Sequence, residues 1–148
     1  MREVGVSCLI RIEMAGSQDG EAIAALYAEA GYGAAVQADD TVIVARNEAM
    51  LVGVLRLCPE EGVMVLRGMQ VRLEYQRQGV GARMLAACLP HLAGTEAFCL
   101  PYAHLDGFYA AAGFARAENP ALPGFLARRL DAYRARGQDV IAMRRSPD

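Results

Sequence analysis

Two glycines, Gly79 and Gly81, mark the part of the sequence best suited to chemistry. They follow a strand-like segment that ends near Val71 and a short polar turn, and an amphipathic helix-like segment begins at them. The first turn of a helix exposes backbone N–H groups that have no partner within the helix, at the positive end of the helix dipole. Glycine there lets an anion approach the backbone closely, which is typical of a pyrophosphate site. Arg77 and Arg83 add charge suited to phosphate.

The glycine spacing alone does not identify a ligand. The pattern departs from the dinucleotide-binding fingerprint, because Met84 occupies the position of its third glycine and the preceding strands form a meander. A helix that only packs closely against a strand would also carry glycines at its start. Both interpretations stay open on these residues.

A second pattern lies further along the chain, where residues 108–114 read Phe-Tyr-Ala-Ala-Ala-Gly-Phe. With Gln76-x-x-Gly79-x-Gly81, this run resembles the landmarks of the GNAT superfamily of N-acetyltransferases. Those landmarks are the acyl-CoA-binding signature (Gln/Arg)-x-x-Gly-x-(Gly/Ala) and an aromatic-Tyr-x-x-x-Gly-Phe run on the helix after the fifth strand. The resemblance covers residues 4–114 and the last strand of the chain.

The resemblance implies transfer of an acetyl group from acetyl-CoA to a primary amine, on a small molecule or a peptide, without a metal. In the family, the strand before the signature pairs its backbone with the pantetheine arm, and the amides at the helix start hold the pyrophosphate. Tyr109 matches a tyrosine that protonates the departing CoA thiolate, a role that suits a phenol with a pKa of about 10. The amide of Val71 is a candidate to polarise the carbonyl. The implied cofactor-binding residues are Met69, Gln70, Val71, Gln76, Arg77, Gln78, Gly79, Val80, Gly81, Ala82 and Arg83.

Departures from the family pattern leave a second function open. Some members carry a Glu on the central strand as general base, whereas residues 63–66 are all apolar in this chain. Glu74 and His104 are weaker candidates for that base. Tyr109 could instead be a core aromatic residue whose hydroxyl reaches a backbone group. The alternative function is therefore a non-catalytic acyl-CoA-binding or sensing module.

The hydrophobic pattern predicts the elements that position these residues. Strands are predicted over residues 7–14, 41–46, 51–58, 63–71, 97–100, 114–116 and 139–144, and helices over 16–31, 79–92, 105–112 and 123–136. This order predicts a mixed α/β domain of the α+β type, GNAT-like, with a mostly antiparallel central sheet of about six to seven strands flanked by helices. The helix over 123–136 is extra to the family pattern between the last two strands. It could cover the acceptor site as a lid, form a homodimer contact, or only cover the sheet, and we favour the last.

Length and composition narrow the function classes further. The 148 residues predict one domain over 1–148. All fifteen basic residues are Arg, which excludes a Walker-type phosphate loop and a lysine Schiff base. A net charge of −2 argues against a nucleic-acid partner. No run is long enough to span a membrane, and four widely spaced cysteines predict buried thiols in the cytoplasm and no metal site.

Overall fold

The computed structural model describes residues 9–33 and 35–147. This part of the chain forms two compact units that are interleaved along the sequence. The first unit contains the chain up to Pro59 together with Arg67–His91, and the second contains Glu60–Leu66 and the chain from Leu92 onwards. Each unit has its own hydrophobic core.

The first unit packs helices on strands through apolar side chains. Its strands are β1 (Ile10–Met14), β2 (Thr41–Asn47) and β3 (Met50–Glu60), joined by the last residues of β4 (Val63–Val71). Its helices are α1 (Gly20–Glu29) and α2 (Val80–Cys88). Both β1–β2 and β2–β3 pair antiparallel. The core around α1 contains Ile23, Leu26, Tyr27, Val42, Val44, Leu51 and Val54.

A glycine on β3 lies against a side chain of α2. A Cβ atom at Gly53 would lie 2.9 Å from the terminal methyl carbon of Met84, a buried residue of α2. An alanine at this position would therefore require the end of the Met84 side chain to move.

The second unit is built on shorter elements. It contains the first residues of β4, then β5 (Ala97–Cys99), α3 (Asp106–Ala110), β6 (Ala115–Arg116), α4 (Gly124–Ala135) and β7 (Met143–Arg145). Strand β4 pairs parallel with β5 at Met64, Val65 and Leu66, and β7 pairs antiparallel with both β5 and β6. Its core contains Val65, Phe98, Leu122, Leu126, Leu130, Val140 and Ala142.

The seven strands form one mixed sheet in the order β1-β2-β3-β4-β5-β7-β6. One of the strand pairings, β4 with β5, is parallel, and it follows a helical crossover through α2. A parallel neighbour needs such a crossover, whereas antiparallel neighbours can be joined by tight turns. The predicted fold class, a mostly antiparallel α/β sheet flanked by helices, is confirmed.

Several predicted boundaries needed correction. The helix predicted over 79–92 is α-helical only to Cys88, and residues Leu89–Leu92 form a 3-10 turn, because Pro90 has no N–H to continue the α-helical bonding. The last strand was predicted over 139–144 but runs from Met143 to Arg145. Its expected first residues form an isolated bridge from Val140 to Tyr102 instead of a ladder. Residues 7 and 8 of the predicted first strand lie outside the described residues.

The extra helix, α4, covers part of the second unit. Leu126 and Leu130 are buried in its core, beside Val65 and Phe98 of the strands. Arg129 forms an ion pair with Glu60, with Nη2 and Oε1 2.6 Å apart. One face of α4 thus covers strands of the second unit, and the roles as a lid or as a homodimer contact stay predictions.

Candidate active site

The turn between β4 and α2 is held by its own side chains. Strand β4 ends at Val71, a 3-10 turn follows over Leu73–Tyr75, and α2 begins at Val80. The side-chain amide of Gln76 donates to the Val71 carbonyl at 2.9 Å, and that of Gln78 donates to the Glu74 carbonyl at 3.0 Å. Asn47 of β2 donates to the Tyr75 hydroxyl at 2.9 Å. These bonds fix the path of the chain into α2.

The start of α2 has backbone amides without partners inside the helix. Gly79, immediately before the helix, has a left-handed φ of +82°, and a Cβ built there would meet nothing within 4 Å. Gln76, Gln78 and Ala82 are exposed. The N–H groups of the first helical turn have no acceptor within the helix. A helix start of this kind, at which a Cβ on Gly79 would meet no other atom, can bind a pyrophosphate.

Arg77 adds a strained backbone to this turn. Its φ is +62°, a left-handed value that costs a residue with a side chain of the order of 1 kcal/mol. Left-handed residues between others turn successive N–H groups toward one point, which makes concavities that bind anions. The positive charge of Arg77 lies on an exposed side chain at the same turn.

Arg83 is held differently from Arg77. Its Nη2 donates to the Ile10 carbonyl of β1 at 2.8 Å. Part of its guanidinium is thus used to tie α2 to the first strand. Contact of Arg83 with a phosphate stays a prediction.

The segment predicted to pair with pantetheine, residues 69–71, is half-buried at the end of β4. Directly before it, Gly68 has a φ of +67°. The Tyr27 hydroxyl donates to the Gly68 carbonyl at 2.9 Å, and a Cβ at Gly68 would lie 2.3 Å from the same hydroxyl oxygen. A left-handed residue inside a strand interrupts the pleat and increases the local twist.

A buried arginine supports Tyr27. Arg56 of β3 is 1% exposed, and its Nε donates to the Tyr27 hydroxyl at 3.3 Å. Its Nη1 donates to the Asp40 carboxylate at 3.0 Å and to the Ala35 carbonyl at 3.1 Å, and its Nη2 to the Tyr32 hydroxyl at 3.4 Å. Burial raises the pKa of Tyr27 to about 12, so the hydroxyl stays protonated at neutral pH.

Sequence reasoning missed this cluster, although two signals were visible. One was a glycine in the middle of the predicted strand over 63–71, which is typical of a bulge or a close approach. The other was Arg56, the one charged residue among the otherwise apolar residues 51–58. Charged residues are seldom fully buried unless they are paired.

Tyr109 belongs to the second unit, on α3. It is 6% exposed and lies edge-on to Phe108 and Phe114, with ring centroids 5.0 and 6.1 Å apart. Gly113, in the turn that follows α3, has a φ of +96°, and the Phe114 amide donates back to the Tyr109 carbonyl at 3.2 Å. The structure therefore groups the predicted residues 69–71 and 76–83 in the first unit and places Tyr109 in the second.

The candidate bases differ in their surroundings. Glu74 is exposed in the turn after β4, and its carbonyl accepts the bond from Gln78. His104 is exposed and stacks on Tyr102, with ring centroids 6.1 Å apart. Among the residues that the structure describes, no group of three or more His, Cys, Asp or Glu residues is arranged to hold a metal ion.

A cavity of about 630 Å³ lies in the first unit. It is bounded by the end of β1, the first turns of α1 and residues 35–42, with Ile23, Val36 and Val42 among its apolar walls and Ser17 and Gln37 among its polar ones. This volume falls in the range of sites for small molecules.

In the described ranges, no helix is long and apolar enough to cross a membrane.

Comparison with known proteins identifies the family of this chain. The profile of the acetyltransferase (GNAT) domain family matches residues 38–116, more than half of the chain. The chain belongs to the GNAT acetyltransferase superfamily. A search of curated proteins found no significant match.

Solved structures share the fold at low sequence identity. An acyl-CoA N-acyltransferase from Pseudomonas aeruginosa has a TM-score of 0.70 and 18% identity, over 93% of this chain and 99% of that one. The ribosomal-protein-S18-alanine N-acetyltransferase of Escherichia coli has a TM-score of 0.69 and 16% identity, over 92% of each chain. N-acetylglutamate synthase from Neisseria gonorrhoeae, complexed with coenzyme A and N-acetyl-glutamate, has a TM-score of 0.67 and 22% identity. The match covers 92% of this chain and spans about a third (34%) of that synthase.

Proposed function

We propose that this chain transfers an acetyl group from acetyl-CoA to a primary amine. The observation that carries the proposal is the open start of α2, directly after β4 and inside the segment that matches the family profile. There the amides of the first helical turn, the left-handed residues Arg77 and Gly79 and the Arg77 charge suit a pyrophosphate. The backbone of residues 69–71 would pair with the pantetheine arm, and the turn of Gln76 and Gln78 would position the helix start.

The acceptor is proposed to be an amine of a small molecule or a peptide. The cavity of the first unit supports this, because the segment between the first helix and the second strand forms part of the acceptor pocket in the family that the chain resembles. Of the similar structures, one holds coenzyme A and N-acetyl-glutamate, and another is a ribosomal-protein-S18-alanine N-acetyltransferase. The formal net charge of −2 favours a cationic amine over a nucleic acid.

Tyr109 is proposed as the general acid of this reaction. The amine nitrogen forms a bond to the acyl carbon, the carbon–sulfur bond breaks, and the electron pair of that bond leaves on sulfur. The Tyr109 hydroxyl gives its proton to the thiolate and is reprotonated from water, and the amine loses its proton to water. Since residues 63–66 carry no carboxylate, we assign no side chain as the base that deprotonates an incoming ammonium.

Thiol release tests the proposed activity directly. The protein is incubated with acetyl-CoA and a panel of amines, which should include polyamines, amino acids and peptides with free N-termini, while free CoA thiol is measured. Stimulation by one class of amine above the hydrolysis background is the expected result. Calorimetric titration with CoA in parallel reports whether the cofactor binds.

A second function, acyl-CoA binding without turnover, is favoured by the apolar residues at 63–66 of β4. Tight CoA binding with no amine that stimulates thiol release would support this binding or sensing function and contradict the enzymatic one.

We retain the cytoplasm as the proposed location of the protein. We also retain a homodimer formed through the exposed face of α4 as an expectation that gel filtration can test.

A further inference from the structure

Gly68 is a constrained point of β4 within the first unit. Its φ of +67° is left-handed, and its Cα faces two polar groups. A Cβ there would lie 2.3 Å from the Tyr27 hydroxyl oxygen and 3.2 Å from Nε of Arg56. The backbone thus approaches both side chains so closely that no other residue fits without a shift.

The Tyr27 hydroxyl fixes the direction of the Gly68 carbonyl. It donates to that carbonyl at 2.9 Å and accepts from Arg56 Nε at 3.3 Å, so the hydroxyl proton has one direction to point. Tyr27 is 3% exposed, so little of its side chain is open to water. The Gly68 carbonyl is therefore bonded to the Tyr27 hydroxyl, whose own direction is fixed by the bond from Arg56.

Arg56 connects three segments of the first unit at one guanidinium. Tyr27 lies on α1, Tyr32, Ala35 and Asp40 lie on the segment between α1 and β2, and Arg56 itself lies on β3. The Arg56 and Asp40 side chains are 2% and 1% exposed. A buried ion pair of this kind adds little stability over apolar residues of the same size, whereas it does fix geometry.

We propose that Tyr27 and Arg56 are positioning residues for the acyl-CoA site, because they hold the turn at Gly68 and so set the direction of residues 69–71. The inference rests on the proposed function, in which the backbone of these three residues pairs with pantetheine. An extended ligand is bound by a row of backbone N–H and C=O groups, and a misdirected strand loses that row as a whole. Neither residue touches the ligand in this proposal.

The test compares two tyrosines that share one arginine. Tyr27→Phe removes the hydroxyl that bonds both Gly68 and Arg56. Tyr32→Phe removes a hydroxyl that bonds Arg56 alone among these groups, and it is the matched control. Replacing Arg56 itself would leave Asp40 buried without its partner and could unfold the chain, so it is not the variant of choice.

Two readouts separate positioning from general stability. CoA affinity is measured by calorimetry well below the melting temperature, where both variants are folded, and amide hydrogen exchange is measured at residues 69–71. We expect Tyr27→Phe to weaken CoA binding about tenfold, the equivalent of one lost hydrogen bond. Exchange at residues 69–71 should become faster in this variant, and Tyr32→Phe should match the parent protein in both measurements.

Two results would overturn the inference alone. One is a Tyr27→Phe protein that binds CoA as tightly as a CoA-binding parent, and the other is an equal loss of affinity in Tyr32→Phe. A parent protein that does not bind CoA would overturn the proposed function, and this inference with it, before any variant is compared.

Discussion

Single residues carry the sharpest tests, and Gly68 is the clearest. Its left-handed φ costs any other residue conformational energy, and the contact with Tyr27 adds a steric cost. Gly68→Ala is expected to lower the free energy of unfolding by about 2–4 kcal/mol, measured by urea denaturation.

Gly62→Ala is the matched control for this change. Gly62 has a φ of +87°, but a Cβ there meets nothing within 4 Å. Gly62→Ala should therefore lower the free energy of unfolding only by the conformational cost, about 1 kcal/mol. If both variants lose the same stability, the contact with the Tyr27 hydroxyl does not constrain Gly68.

Tyr109 can be tested by removing one oxygen atom. Tyr109→Phe keeps the ring contacts with Phe108 and Phe114, so the fold should persist. We expect kcat for acetyl transfer to fall about a hundredfold or more, since proton transfer to the leaving group is lost, with unchanged affinity for CoA. The control is Tyr133→Phe on α4, which should leave kcat unchanged. An active Tyr109→Phe enzyme would assign Tyr109 to the core.

At the scale of elements, a negative charge at the start of α2 should have opposite effects on helix stability and on CoA binding. Ala82 lies in the first helical turn and is exposed. A carboxylate there should stabilise the helix by about 0.3–1 kcal/mol through its attraction to the helix dipole, and it should repel a pyrophosphate. Ala82→Glu is therefore expected to raise the melting temperature slightly and to weaken CoA binding, the latter most strongly at low salt.

The neutral variant Ala82→Gln has nearly the same shape as Ala82→Glu, so it separates the effect of charge from the effect of size. It should bind CoA close to the parent level. If Ala82→Glu and Ala82→Gln bind CoA equally, the phosphates do not lie at this helix start, and the proposed site is wrong.

Local sequence patterns were enough to predict most elements, for identifiable reasons. Strand β4 was predicted with its observed bounds because turn residues frame an apolar run. The predicted cofactor residues, 69–71 and 76–83, lie close together in the sequence, so one strand–turn–helix pattern contains them all. Tyr27, Arg56 and Gly68 lie far apart in the sequence and meet only through packing, so no local pattern could join them. Whether Tyr109 acts as an acid stays a prediction.

At the scale of the whole molecule, acid should destabilise the protein partly because it protonates carboxylates that pair with Arg46. Arg46 forms ion pairs with Glu13 and with buried Asp19, at 2.6 Å for the second. The bond from Arg46 and the Gly16 amide lower the pKa of Asp19 below its ordinary value of 3.8. A lowered carboxyl pKa contributes stability that is present above pH 3.8 and is lost as the pH falls through the value in the folded state.

Arg46→Met should therefore differ most from the parent at pH 7 and progressively less below pH 3.8, as both proteins protonate Asp19. Urea denaturation between pH 7 and about pH 3 measures this. Arg116→Met is the control, because the Arg116–Asp106 pair is about half exposed (56% and 46%) and should contribute little at any pH. A constant difference between Arg46→Met and the parent would show that the Asp19 pKa is not lowered by Arg46.

The interleaving of the two units has a consequence for synthesis on the ribosome. Every residue of the first unit has been made once His91 is added, whereas residues 60–66 still lack their partners in the second unit. Strand β4 can then pair with β3, its neighbour in the sheet, but its other edge, at Val65 and Leu66, stays open until β5 is made. An open edge of an apolar strand is prone to join another chain. A nascent chain paused near residue 91 is therefore the stage at which this protein most needs a chaperone.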